Sequence, residues 1–255
     1  MDYINTEITQ VLRPTPEYAF IRFKGPRPIE GVPGQFVMIR GDFGNDPILP
    51  RAFSLVEAGE TGAVLVRDVG KATHLLVNLQ AGDPLTVTGP LGNGFTMPDE
   101  GVHPVLVAGG VGVAPLIFLA ETLYERNVDA SFIYGGRTVK DILFQGRIAK
   151  NAALHMTTED GSAGVEGRVT DVLDKAVEGH SRIMLYACGP EPMLEALASR
   201  AAQTGTPFEA ALEQAMACGV GTCKGCAVHG ADNKFKYVCS DGPVFNARDI
   251  WGGDR

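Results

Sequence analysis

Apolar and polar residues follow two different rhythms along the 255-residue chain. Up to residue 100 the apolar positions come in short bursts: EYAFIRFKG, GQFVMIRG, RAFSLVEA, TGAVLVRDVG and DPLTVTGP. Polar residues alternate within them, and Gly or Pro closes them. A period of two turns one face of a strand inward, and frequent turn signals predict an antiparallel barrel or sandwich. Pro33-Gly34 and Ala81-Gly82-Asp83-Pro84 read as turns, and the stretch after Gly70 as a short helix that starts at Ala72 and Thr73.

From His103 the rhythm changes. HPVLVAGG is a buried-strand run, followed by the apolar helix VAPLIFLAETLYERN. Strand ASFIYGG, helix KDILFQGRIAK, strand ALHMTTED, helix VTDVLDKAVEG, strand RIMLYACG, helix EPMLEALASRAAQTG and strand PFEAALEQ come next. Alternating β and α units predict a parallel sheet with helices on both faces. The whole is a multidomain α+β chain with boundaries near 101 and 214: a barrel over 1–100, an α/β parallel-sheet unit over 101–213 and a small terminal unit over 214–255.

Hydrophobic residues make up 45% and charged residues 20%, so global disorder is excluded. A net charge of −8 has the wrong sign for a sequence-independent nucleic-acid binder. No apolar run is long enough to span a bilayer, and MDYINTEITQ has neither the basic flank nor the apolar core of a secretory signal. The expectation is a cytoplasmic protein with reduced thiols.

That expectation matters because the cysteines are not scattered. Cys188 stands apart, while Cys218, Cys223, Cys226 and Cys239 read C-x4-C-x2-C-x12-C. The first two intervals are those of a plant-type [2Fe–2S] centre, with the fourth thiolate arriving from a distant strand. Gly219, Gly221 and Gly225 let the loop curl, and N–H groups freed by the curl can point at cluster sulfurs. A structural zinc remains an alternative, although it usually takes two C-x2-C pairs and only one is present; a disulfide conflicts with the compartment.

Two further stretches invite nucleotides. VLVAGGVGVAPL places Gly109, Gly110 and Gly112 at a strand-to-helix turn where a phosphate can meet the helix N-terminus, although such turns are also glycine-rich for steric reasons alone. ACGPEPM puts Cys188 and Gly189 at the carboxyl edge of a parallel strand, where Cys188 either lies in the core or contacts a nicotinamide. In the barrel, Arg51-Ala52-Phe53-Ser54 offers a guanidinium fork, an aromatic ring and a hydroxyl, although taken alone it reads first as an ordinary strand with an exposed Arg and a buried Phe. His74, His103, His155, His180 and His229 have no metal-like spacing, and Asp99-Glu100 and Glu159-Asp160 read as solvated turns. Val228, Phe235, Val244, Phe245 and Trp251 bury against either a partner or the chain's own barrel unit.

In this order the pieces resemble the ferredoxin–NADP reductase superfamily, and within it the electron-transfer subunits of class 1B, NAD-dependent dihydroorotate dehydrogenase. RAFS is similar to the family's R-P-x-S flavin motif. GPLGNGF, GGVGVAPL and ACGPEPM are similar to its later landmarks, and EQAMACGVGTCKGCAV with YVCSDGPVF to its cluster segment. The resemblance implies an FAD barrel, an NAD unit and a [2Fe–2S] unit. Arg51, Ala52, Phe53 and Ser54 then contact FAD, with Arg51 at the pyrophosphate and Ser54 at the isoalloxazine edge. Leu65, Val66 and Arg67 match the second flavin stretch, Ala72 and Thr73 the phosphate pair, and the four clustered cysteines the iron ligands. Ala52 and Ala72 depart from the family's Pro and Gly. The resemblance further implies an FMN-containing dihydroorotate-oxidising partner in a heterotetramer of two plus two, NAD+ as electron acceptor, a place in pyrimidine biosynthesis, and no catalytic acid or base in this chain. Reductase subunits of sulfide dehydrogenase or ferredoxin-linked type share the same modules, and a zinc-knotted scaffold without redox activity is the reading from another class.

Overall fold

The computed structural model describes residues 3–252; residues 1–2 and 253–255, at the outer ends of the first and last expected units, lie outside the described residues. Six strands close a barrel: β1 (Tyr3–Thr15), β2 (Tyr18–Lys24), β3 (Phe36–Gly41), β4 (Arg51–Glu57), β5 (Gly62–Arg67) and β6 (Pro84–Leu91), in the spatial order β1-β2-β5-β4-β3-β6. The helix α1 (Lys71–Val77) follows β5, as the sequence predicts. Strand β1 is absent from that reading. Its alternation is carried by Ile4, Thr6 and Ile8, all buried, against exposed Tyr3, Asn5 and Glu7, and the threonine and the charged neighbours dilute the apolar signal. Thr6 enters the core because its hydroxyl donates to the Leu85 carbonyl at 3.0 Å.

The second unit comprises β7 (His103–Gly109), α2 (Val113–Glu125), β8 (Ser131–Gly136), α3 (Gln145–Ile148), β9 (Ala153–Thr158), β10 (Val165–Glu166), α4 (Val169–Ala176), β11 (Ile183–Cys188), α5 (Glu191–Thr204) and β12 (Phe208–Ala211). β7, β8, β9, β10, β11 and β12 pair in parallel. α2 covers one face over Leu106, Ala108, Phe132 and Tyr134, and α4 and α5 cover the other over Val105, Val107, Ile133 and Leu185. Eight of the thirteen residues of α2 are buried, because its outer side also packs on β4 of the barrel.

One predicted helix is largely missing. KDILFQGRIAK forms a single 3-10 turn over Val139–Asp141, an extended Ile142 and then only the short α3. The break is at Phe144, whose φ of 56° and ψ of 29° place a bulky residue in the left-handed region.

The cysteine-bearing tail forms the hairpin β13 (Ala227–His229) and β14 (Phe235–Tyr237), then β15 (Val244–Asn246) and α6 (Ala247–Trp251). β15 pairs antiparallel with β12 and becomes the seventh strand of the nucleotide-unit sheet. The tail is therefore stitched into its neighbour. Val244 and Phe245 are buried, Trp251 stacks on Phe208, and Phe235 stays 58% exposed.

Candidate functional site

The barrel offers its opening between β4 and β5. These strands pair only at Leu55 with Val64 and Glu57 with Ala63, separated by a bulge. Arg51–Ser54 pair with β3 on one side, and Leu65–Arg67 pair with β2 on the other. The two stretches therefore turn unpaired backbone edges toward each other, a seam where a flat ring system can meet N–H and C=O groups. Arg51, Ala52, Phe53 and Ser54 are all half-buried. Arg51 donates from Nη1 to the Leu49 carbonyl at 2.9 Å, which folds it over its own loop. Leu65 and Val66 send their side chains into two different apolar clusters and leave only their backbone for a ligand. Ala72 is buried, and the Thr73 hydroxyl accepts from Val69 and Gly70 N–H at 2.9 and 3.0 Å, capping α1 rather than facing outward.

Across from the seam, the carboxyl ends of the parallel strands line a cleft of about 520 Å³, within the range of cofactor sites. Gly109, Gly110, Gly112 and Gly189 all line it, together with Arg67 from the barrel. Gly110 has φ of 53° with nothing within 4 Å of where a Cβ would stand, so the backbone is bare toward the cleft. At Gly112 a Cβ would sit 2.3 Å from the Cys188 carbonyl oxygen, so the turn needs glycine for packing. Cys188 itself is wholly buried under α2 and its thiol is pushed up by burial; it belongs to the core and is not part of the cleft wall. Two buried hydroxyls here have no partner: Thr157 on the cleft wall, and Tyr18, over whose ring the Arg67 guanidinium lies at 5.5 Å. Orphaned donors beside an open cradle fit a polar, many-oxygen ligand such as a dinucleotide.

The third site is the cysteine loop. The hairpin explains the long last interval: Cys226 precedes β13, Cys239 follows β14, and pairing returns their sulfurs to 3.2 Å of each other. Backbone N–H groups point at sulfur throughout: Gly221 to Cys239 at 3.0 Å, Cys223 and Val220 to Cys218 at 3.4 and 3.5 Å, and Gly225 to Cys223 at 3.5 Å. Those donors draw the Cys218 thiol down to about 6, while burial pushes Cys239 up to about 12. No disulfide joins the cysteines. Four thiols ringed by N–H donors fit a larger, sulfide-bearing centre.

Comparison with known proteins agrees with this geometry. The iron-sulfur cluster binding domain of dihydroorotate dehydrogenase B matches residues 213–251, and the oxidoreductase NAD-binding domain matches 106–199. The dihydroorotate dehydrogenase B (NAD(+)) electron transfer subunit of Geobacillus thermodenitrificans is 41% identical over 225 residues, covering 86% of each chain. That of Desulforamulus reducens is 35% identical over 249 residues, covering 94% of this chain and 95% of its own. The chain belongs to the family of dihydroorotate dehydrogenase B electron transfer subunits. A solved NADH-dependent reduced ferredoxin-NADP oxidoreductase superposes with a TM-score of 0.84 at 28% identity, covering 97% of this chain and 90% of that one.

In this electron transfer subunit the cysteine segment packs on the barrel. Ala52 of the RAFS strand packs in one apolar cluster with Cys226, Cys239, Phe36 and Met38. The GPLGNGF loop is bound to the tail: Asn93 donates from its backbone N–H to Gly242 C=O at 2.6 Å and from Nδ2 to Asp241 C=O at 2.9 Å. Sequence reading passed over part of the cleft wall. Arg137, Glu159, Arg168, Thr170 and Glu213 line it, so Glu159 faces the cleft and is not simply part of a solvated turn. Their signal is positional: each follows the end of a parallel strand or opens a helix, which only the fold reveals. Among the described residues no helix is long and apolar enough to cross a membrane.

Proposed function

We propose that this chain carries electrons from a dihydroorotate-oxidising, FMN-containing partner subunit through a [2Fe–2S] centre and FAD to NAD+, in a cytoplasmic assembly of two such chains with two partners. The observation that supports it most directly is the single apolar cluster shared by Ala52, Cys226 and Cys239, because it sets the cysteine loop against the strand that borders the barrel seam. FAD bound there supplies the conversion between one-electron carriers and two-electron hydride transfer. The protein's residues bind and orient. Arg51 and the facing edges of β4 and β5 hold the flavin. Gly109, Gly110, Gly112 and Gly189 let the dinucleotide approach backbone, with Arg67 at the junction of the two sites. Cys218, Cys223, Cys226 and Cys239 ligate iron while their neighbouring N–H groups offset the negative charge on sulfur.

The test is a visible spectrum with iron and flavin counts on freshly isolated protein, followed by mixing with a dihydroorotate-oxidising FMN subunit. NAD+ reduction that needs both chains and dihydroorotate supports the proposal. Reduction supported only by reduced ferredoxin assigns the chain to the ferredoxin-linked type instead, and colourless protein with bound zinc removes the redox reading. Arg51→Ala is expected to lower flavin retention.

A further inference from the structure

Away from the cleft, the barrel and the nucleotide unit are joined by a second contact that the electron path does not use. Arg147 of α3 donates from Nε and Nη2 to the two carboxylate oxygens of Glu121 on α2, at 2.6 and 2.8 Å. Its remaining terminal nitrogen, Nη1, reaches Glu57 of β4, in the barrel, at 2.9 Å. Glu57 is held from its own side by Arg22 of β2 at 2.8 Å through both oxygens. Both guanidiniums lie over the Phe20 ring, Arg22 at 5.3 Å and Arg147 at 5.7 Å from its centroid, and Phe144 meets it edge-on at 5.6 Å. The four charged side chains are 17–32% exposed, so water screens them only in part.

Three observations give this contact a purpose beyond adhesion. A left-handed backbone at a bulky residue is costly and persists only where the surroundings enforce it, and Phe144 has that backbone. It interrupts a helix that the residue pattern favours, and the short helix that starts after it carries Arg147. The two tied elements are also the two that carry the sites. β4 begins with Arg51–Ser54 at the seam and ends at Glu57, and α2 follows directly on Gly110–Gly112 and bears Glu121. Arg147 thus ties the far end of the flavin-side strand to the helix that leaves the phosphate-side loop.

We propose that Arg147, seated by the Phe144 turn, is a positioning residue that sets the distance and angle between the flavin seam and the nucleotide cleft. The proposal rests on the FAD and NAD assignments above. A fork that serves two carboxylates at once cannot be replaced by a lysine ammonium without losing one arm. A small misalignment between hydride donor and acceptor is expensive in rate and cheap in binding, so the loss of the clamp is read in transfer and not in affinity.

The experiment uses the full chain loaded with its cofactors, as wild type, Arg147→Met, Arg147→Lys, Glu57→Gln and Glu121→Gln. Flavin bleaching on rapid mixing with NADH gives both a limiting rate and an apparent dissociation constant. Bleaching by dithionite, which needs no alignment of the two units, is the control, and flavin and iron contents are counted. Arg147→Met is expected to slow the limiting rate by roughly tenfold or more with the dissociation constant changed by less than about threefold. Arg147→Lys is expected to recover part of the rate, and Glu121→Gln, which leaves the cross-unit bond, is expected to lose less than Glu57→Gln. Thermal unfolding of Arg147→Met is expected to split into two transitions where wild type shows one. A wild-type limiting rate in Arg147→Met, or a parallel loss of dithionite bleaching and flavin, overturns the proposal. If Arg147→Met fails to fold, Arg147→Lys and Glu57→Gln carry the same comparison. If wild-type protein takes up no flavin, the functional reading has failed, and the clamp is judged on unfolding alone: a single unsplit transition in Arg147→Met then overturns it.

Discussion

The cysteine segment gathers its thiols from one loop and one hairpin, whereas the nucleotide cleft takes its wall from the ends of β7, β8, β9 and β11 and offers bare backbone at Gly109, Gly110, Gly112 and Gly189. In the first, side chains do the holding and their spacing along the chain is already the geometry. In the second, the holding surface exists only after the sheet has formed, and what matters at each position is the absence of a side chain. A side-chain site fails through the loss of one ligand. A backbone site fails through the gain of one methyl group.

Cys239→Ser tests the first half of that contrast and carries the largest effect. Cys239 lies 3.2 Å from Cys226 and accepts the Gly221 N–H, so its loss is expected to abolish stable two-iron incorporation, checked by iron content and the visible spectrum. Flavin retained at wild-type level would show that the sites fail separately. Gly112→Ala probes the second half: its Cβ would meet the Cys188 backbone at 2.3 Å, and rigid overpacking of this kind is expected to cost about 3 kcal/mol, read from the urea midpoint. Gly110→Ala sharpens the distinction. Nothing crowds its Cβ, so only the left-handed backbone costs stability, about 1 kcal/mol. The new methyl group faces the cleft, and weaker NADH binding by titration is the expected outcome. An unchanged affinity would remove the phosphate from Gly110.

Legibility followed the same contrast. The cysteine quartet, the short barrel strands and the alternating β and α units were readable because local spacing dictates them. β1 was not, since Thr6 occupies a core position that only its bond to Leu85 makes acceptable. The helix expected over 140–150 was not, since the barrel surface at Phe20 overrides local propensity at Phe144. Glu159 and Arg168 were invisible as cleft residues because nothing in their neighbours along the chain says which strand end they follow. Cys188 shows the limit from the other side: a thiol at a strand's binding edge still turned into the core.

The smallest predicted effect lies at the opposite edge of the nucleotide sheet, where His103 stacks on His180 at 3.5 Å and bonds Ser131 at 2.9 Å. Burial, with a lesser push from His180, lowers the His103 pKa against an opposing pull from Asp129. A base kept neutral by the fold binds fewer protons than it does in the unfolded chain, so its contribution is present above about pH 6.5 and is lost as pH falls through the lower folded value. His103→Gln is expected to flatten the dependence of the urea midpoint between pH 5 and 7 while leaving the cleft and the cysteine loop untouched. A steep dependence remaining in that variant would place the responsible group elsewhere.

The antiparallel strand β15 has a consequence for which side of the cysteine loop is open. The cysteine segment follows both other units in the chain, yet it leans on Met38 and Phe36 of one and zips onto β12 of the other. Cys226 and Cys239 are therefore covered by the neighbouring units while Cys223 stays exposed, so the loop has one sheltered side and one open to its surroundings.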